Sequence, residues 1–149
     1  MGFLLPTLIV LILDRLSKVL FSQLDRNFDV IDGIIRITMV KNTGAIFGLF
    51  QGMRFVFILA SILAAVLITV IALKLPRYEL HKRAALGLIL GGALGNLIDR
   101  IHPGEVIDFI DMGFGIHRWP VYNVADIGVT VGALMLIVAY LRAWKTDGR

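Results

Sequence analysis

"FVFILASILAAVLITVIAL", residues 55–73, runs nineteen residues without a charge. A helix needs about 20 mostly apolar residues to cross the hydrocarbon core of a bilayer. This stretch meets that requirement by itself and decides the fold. Three other apolar runs flank it: Met1–Leu13, extended past Asp14 to Phe21; Ala84–Ile98; and Trp119–Ala143, interrupted only by Asp126 and Arg142. Of 149 residues, 58% are hydrophobic and the mean hydropathy is +0.84. A soluble helical bundle of this size has too little polar sequence left to cover such a core. The expected fold class is therefore an all-α polytopic membrane protein. Its four transmembrane helices fall at approximately 1–21, 55–74, 84–101 and 121–143 of a single domain, 1–149. The N-terminal run reads as a first span rather than a cleaved leader. It lacks a basic start and a small-residue cleavage site before "DRLSK", and Pro6 spoils an acylation signal.

The pI of about 9.8 invites a nucleic-acid reading, but the position of the charge argues against it. The loops 74–83 and 142–149 carry seven Lys/Arg against two Asp/Glu, while the remaining sequence is net negative by one. Cations gathered on short loops of one face follow the positive-inside rule. The 74–83 loop and the C-terminus are expected in the cytoplasm; four spans then return the N-terminus there and leave the acids of the span ends on the outer face.

Between the first two spans, about 25–52, the period changes. In "GIIRITMV", Ile35, Ile37 and Met39 alternate with Ile34, Arg36, Thr38 and Val40. "DG" at 32–33 and "NTG" at 42–44 bracket the run as turns, and "AIFGLF", 45–50, reads as a returning strand. A small extracytoplasmic β-sheet subdomain leaning on the membrane is expected here. Gly87, Gly91 and Gly95 recur every four residues in the third span, and Gly128 and Gly132 do so in the fourth. Such smooth faces admit close helix approach, here expected between spans three and four.

Ionisable and amide residues collect at the outer ends of the spans. Asp14 and Lys18 stand one turn apart as an expected ion pair. Asn96 and Asp99 share a helix face, with Arg100 beside them. Asp108 lies in "GEVIDFID", and Asn123 and Asp126 are again three apart at the start of span four. Charges at membrane depth are rare and usually functional. No cysteine is present, the three serines lack a G-x-S-x-G setting, and the three histidines form no H-E-x-x-H. Thiol, serine and zinc hydrolases are thereby disfavoured. Two aspartates sharing a proton remain able to act together: one takes a proton from water while the other hydrogen-bonds a scissile carbonyl. Two other classes compete. A proton-coupled transporter would place acids near mid-membrane in broken spans, and a scaffold would leave the acids without a role.

The chain resembles the lipoprotein signal peptidase (signal peptidase II) family along its whole length. "LDRLSK" (13–18), "KNTGAIFG" (41–48), "GGALGNLIDR" (91–100), "GEVIDFID" (104–111) and "YNVADIGVTVG" (122–132) resemble the family's boxes in order. The resemblance implies a four-span aspartic endopeptidase of the bacterial cytoplasmic membrane with a small external sheet. The implied substrate is a prolipoprotein whose cysteine carries diacylglycerol, cut just before that cysteine. It implies Asp108 and Asp126 as the catalytic dyad, with Asp99 as the rival for the second carboxylate. Asn42, Asn96, Asp99, Arg100, Asn123 and Asp14 match the surrounding box residues. No cofactor, metal or nucleic acid is implied; membrane lipids are neighbours, and a monomer is expected. Arg15 and Tyr122 depart from the commoner Gln and Phe.

Overall fold

The computed structural model describes residues 2–23, 26–44 and 52–147. Among these residues there are four helices, α1 (Leu4–Ser22), α2 (Arg54–Lys74), α3 (Leu80–Ile101) and α4 (Val124–Asp147), with a pair of short strands after α1 and another after α3. These strands are β1 (Phe28–Ile31), β2 (Ile35–Asn42), β3 (Val106–Phe114) and β4 (His117–Arg118). By length and composition α2, α3 and α4 can each cross a membrane. α1 has nineteen residues and carries three charges, Asp14, Arg15 and Lys18, all turned toward α3. Pro6 sits in its first turn, where the missing N–H has no helical partner to lose. α2 ends where Leu75 turns extended before Pro76, the conformation a following proline favours.

α3 is the axis of the bundle, packed by all three other helices. Its glycines explain how. A Cβ at Gly87 would strike the Phe3 carbonyl oxygen, and one at Gly91 would lie 2.7 Å from the Thr7 oxygen. At Gly95 it would lie 2.7 Å from the Asp14 carboxylate. The 87/91/95 face therefore receives mainly α1, while the close approach expected between spans three and four is made through other glycines. α4 is admitted elsewhere, by Gly92 against the Ala125 carbonyl and by Gly132, whose Cβ would stand 2.6 Å from the Ala85 oxygen. α3 also begins four residues before the expected 84. Lys82 and Arg83 belong to its first turn, where buried Arg83 donates to the Leu75 carbonyl at 2.7 Å and closes the end of α2. The last span likewise starts as a helix only at Val124, not at 121.

The expected strand in "GIIRITMV" is β2, between α1 and α2; β1, which the sequence did not mark, precedes it across a turn in which Gly33 takes φ +68°. The sheet is larger than that segment. It runs β1-β2-β3-β4, all antiparallel, so half of its strands come from the α3–α4 connection. Ile37 pairs with Ile110 and Val40 with Asp108, so β2 holds one extra residue between the two pairs. This bulge reverses the alternation beyond Ile37. Val40 and Asn42 thereby share the face of Ile35 and Ile37, rather than the face of Ile34 and Arg36. The "AIFGLF" strand lies outside the described residues.

Candidate active site

The C-terminal halves of α1 and α3, the start of α4 and the start of β3 converge at one end of the bundle. Four charged side chains fill the space between the helices. Lys18, only 2% exposed, reaches Asp14 at 3.0 Å and Asp99 at 2.6 Å. Arg15 reaches Asp14 at 2.6 Å and Asp99 at 2.7 Å. Two cations and two anions make the cluster neutral, which is what burial of charge demands. The remaining carboxylate oxygen contacts hold backbone: the Ala125 N–H donates to Asp14 at 3.1 Å and the Ile107 N–H to Asp99 at 3.4 Å. Asp14 thus braces the start of α4 from α1, and Asp99 braces the start of β3.

Two asparagines connect this cluster to a second pair of acids. The Lys18 ammonium can only donate, so the Asn96 oxygen must face it, at 3.1 Å. That leaves the Asn96 amide nitrogen to donate to Asp126 Oδ1 at 2.8 Å. Asn123 precedes α4 and caps it: its Oδ1 accepts from the Asp126 N–H at 3.1 Å, and Asp126 Oδ2 accepts from the Asn123 N–H at 3.1 Å. This reciprocal pair has the logic of a capping box. With its oxygen so committed, the Asn123 amide turns its nitrogen to Asp108 Oδ1, at 2.6 Å. Asn42 donates to the other Asp108 oxygen at 3.0 Å, a contact the β2 bulge makes possible. One residue, Asn123, therefore fixes both Asp108 and Asp126.

Each of these two acids receives two donors, all neutral, among the described residues. Asp108 is 3% exposed, and burial, reinforced by the neighbouring Asp126 charge, pushes its carboxyl up to about 6 against the pull of Asn42 and Asn123. Both acids line a cavity of about 880 Å³. Asn42, Asn96 and Arg100 form its polar side, and Ile127, Val129 and Val131 of α4 form an apolar wall. Arg100 donates to the Asn96 carbonyl at 3.2 Å and lies over the Phe57 ring at 5.1 Å. Asp99 is absent from the lining of this cavity and is held by two cations. The eight residues picked out in the sequence all meet here. Arg15, noted there only as an unusual residue, also belongs to the site. Charge balance is the signal that could have found it, because two buried acids beside a single lysine require a second cation.

A family model described as Signal peptidase (SPase) II matches residues 6–142. The chain belongs to the signal peptidase II family. The lipoprotein signal peptidase of Syntrophus aciditrophicus (strain SB) is 38% identical over 153 residues, spanning 96% of this chain and 94% of its own. That of Geobacter sulfurreducens (strain ATCC 51573 / DSM 12127 / PCA) is 42% identical over 138 residues, spanning 89% and 86%. A bacterial membrane enzyme structure obtained by the in meso method at 2.3 Å resolution matches with a TM-score of 0.87 at 33% identity, over 94% of this chain and 87% of that one. A second, at 1.9 Å, matches with 0.83 at 34%, over 93% and 92%. As a signal peptidase II, the protein is an intramembrane aspartic endopeptidase that removes signal peptides from lipoproteins. It is a multi-pass protein of the inner membrane.

Proposed function

We propose that Asp108 and Asp126 are the catalytic dyad, and that the substrate is a prolipoprotein cut just before a diacylglyceryl-modified cysteine. The observation that carries this reading is their shared setting. Both carboxylates line one large cavity, both are positioned by Asn123, and neither meets a cation among the described residues. Neutral donors hold carboxylates in place without forcing both to ionise, so one proton can stay with the pair. The ionised member takes a proton from a water lying between them. The protonated member hydrogen-bonds the scissile carbonyl oxygen as the water's oxygen bonds to the carbonyl carbon. The proton then passes to the departing amine as the C–N bond breaks. The aliphatic wall on α4 suits acyl chains, while the polar side suits the peptide. Arg100, aimed into the cavity, meets a peptide carbonyl or the ester oxygens of the lipid.

In this reading the dyad faces the outer leaflet, both termini are cytoplasmic, and the enzyme acts as a monomer. The basic loops of one face support that orientation. The test is cleavage of a lipidated precursor peptide by purified enzyme. Asp108→Asn and Asp126→Asn are each expected to lose about a thousandfold or more in kcat while still folded. An Asp108→Asn enzyme that keeps its rate, alongside a folded Asp99→Asn enzyme that loses it, would transfer the second catalytic role to Asp99.

A further inference from the structure

The wall of the cavity that carries Asp108 is one face of the sheet. Residues paired directly across strands share a face, and so do alternate residues along one strand. Val40 pairs with Asp108 and Tyr122 bridges to Ile110, so both lie on the face of Asp108, Ile110 and Met112. Val40, Asp108, Met112 and Tyr122 all line the cavity. The root of Tyr122 is fixed. Its carbonyl accepts from the Phe109 and Ile110 N–H groups at 3.1 and 2.8 Å, and its N–H donates to the Ile110 carbonyl at 3.1 Å. Its tip is held lightly. The phenol hydroxyl donates to the Met112 sulfur at 3.8 Å, and a thioether is a weak acceptor. Polar side chains of β2 nearby are engaged more firmly, Asn42 with Asp108 at 3.0 Å and Lys41 with Glu105 at 2.8 Å.

The direction of that contact sets the distance from the dyad. Tyr122 stands opposite Ile110, two residues along β3 from Asp108, and its hydroxyl leans on toward Met112, away from Asp108. At about 3.4 Å per strand residue, the hydroxyl lies roughly 10 Å along β3 from Asp108, the length of about three residues of extended peptide. In the reading proposed above, the signal peptide reaches the dyad from the bilayer and the sheet lies outside it. The segment crossing this face of the sheet is then the one that follows the modified cysteine. An extended segment presents a carbonyl oxygen at every residue, and a carbonyl is a better acceptor than a sulfur.

We infer that Tyr122 is a substrate-binding residue: its hydroxyl leaves the Met112 sulfur and donates to a backbone carbonyl of the substrate, about three residues beyond the cleaved bond. The inference rests on the dyad and substrate proposed above. It adds a contact with the mature segment, so that the enzyme favours precursors whose chain continues past the cysteine.

The test compares two lipidated precursor peptides, one ending at the modified cysteine and one continuing well beyond it. Tyr122→Phe keeps the ring and its packing and removes only the hydroxyl. It should raise KM for the long peptide by about fivefold, the worth of one neutral hydrogen bond, with little change in kcat. For the short peptide the rise should stay below about twofold. Met112→Leu removes the sulfur but leaves the hydroxyl, so it should raise KM for the long peptide less than Tyr122→Phe does. An equal rise for both peptides, a loss confined to kcat, or no change would each overturn the inference. So would a Met112→Leu effect matching that of Tyr122→Phe, or a fall of about 5 °C or more in melting temperature on Tyr122→Phe, since either assigns the hydroxyl to the structure of the wall. A wild type that cleaves neither peptide refutes the substrate reading and this inference with it, whereas loss of the length effect alone refutes only the inference.

Discussion

Lys18→Met removes one charge and almost no volume, and the neutral cluster makes its consequence calculable. All three ammonium hydrogens are committed, to Asp14, Asp99 and Asn96. Without them, two buried carboxylates face Arg15 alone, and the cluster becomes net negative by one. Breaking a buried pair by deleting one partner costs about 3–5 kcal/mol. For a chain near 150 residues, each kcal/mol moves the melting temperature by about 2–4 °C, so a drop of roughly 10 °C is expected. Adding Asp99→Asn restores neutrality, leaving Asp14 paired with Arg15. The double variant should recover about 2 kcal/mol or more relative to the sum of the single losses. Thermal unfolding in one detergent, run on all four members of the cycle, measures that coupling. Cleavage assays add a second readout: the double variant should regain stability but not full rate, because the Asn96 oxygen loses one of its two donors and keeps only the Asn123 amide at 3.1 Å to orient it toward Asp126. Strictly additive destabilisation would refute the account of the four charges as one compensated unit.

The Asp108 carboxyl, pushed up to about 6, is protonated below that pH and ionised above it. If the working dyad carries one proton, kcat/KM should fall about tenfold per unit as pH rises well beyond 6; a profile flat to pH 9 would exclude Asp108 as the proton holder. Arg100→Ala should raise KM for the lipidated peptide by about tenfold with a smaller change in kcat, whereas equal loss confined to kcat would contradict a substrate-holding role. Gly92→Ala places a methyl against the Ala125 carbonyl, which is backbone and cannot rotate away. It should cost about 2 kcal/mol or more, read as a lower melting temperature, while an unchanged melting temperature would show that α3 and α4 can separate freely.

The spans were legible because a charge-free run of such length suits a lipid-facing helix and little else. α2 begins one residue before the apolar stretch and ends one residue after it. α3 was harder, because its first turn is charged: Lys82 and Arg83 look like loop residues until Arg83 is seen closing the end of α2. The glycine face named a close approach but not a partner, since a smooth face carries no address. Of the sheet, only β2 was marked in the sequence among the described residues. "VIDFIDMGF" puts apolar residues and an aspartate on each side of β3, so no clean alternation marks it. The bulge in β2 defeated the alternation that was seen, and it is the bulge that brings Asn42 onto Asp108. The site's acids and amides stood out because several polar residues occurred at membrane depth. Arg15 did not, because its role depends on a charge sum across two helices rather than on any local pattern.

The four acids at this end of the bundle differ in what surrounds them, and that difference separates structure from chemistry. Asp14 and Asp99 each accept from Lys18 and Arg15. Hydrogen bonds to charged partners are worth about 1.5–3 kcal/mol against about 1 for neutral ones, so these carboxylates are held firmly to their helices. Among the described residues, Asp108 and Asp126 accept only from amides and a backbone N–H. A free cation at the same distance would favour ionisation of both and remove the acid that the proposed reaction requires. Lys18 stands one asparagine away from Asp126, near enough to do this. Its pull is weakened because its charge is balanced by Asp14 and Asp99, and because Asn96 passes on orientation without passing on charge. The neutral cluster thus has two effects at once: it fixes the helices that carry the dyad, and it lets a lysine hold the dyad's geometry without placing an unbalanced charge beside it.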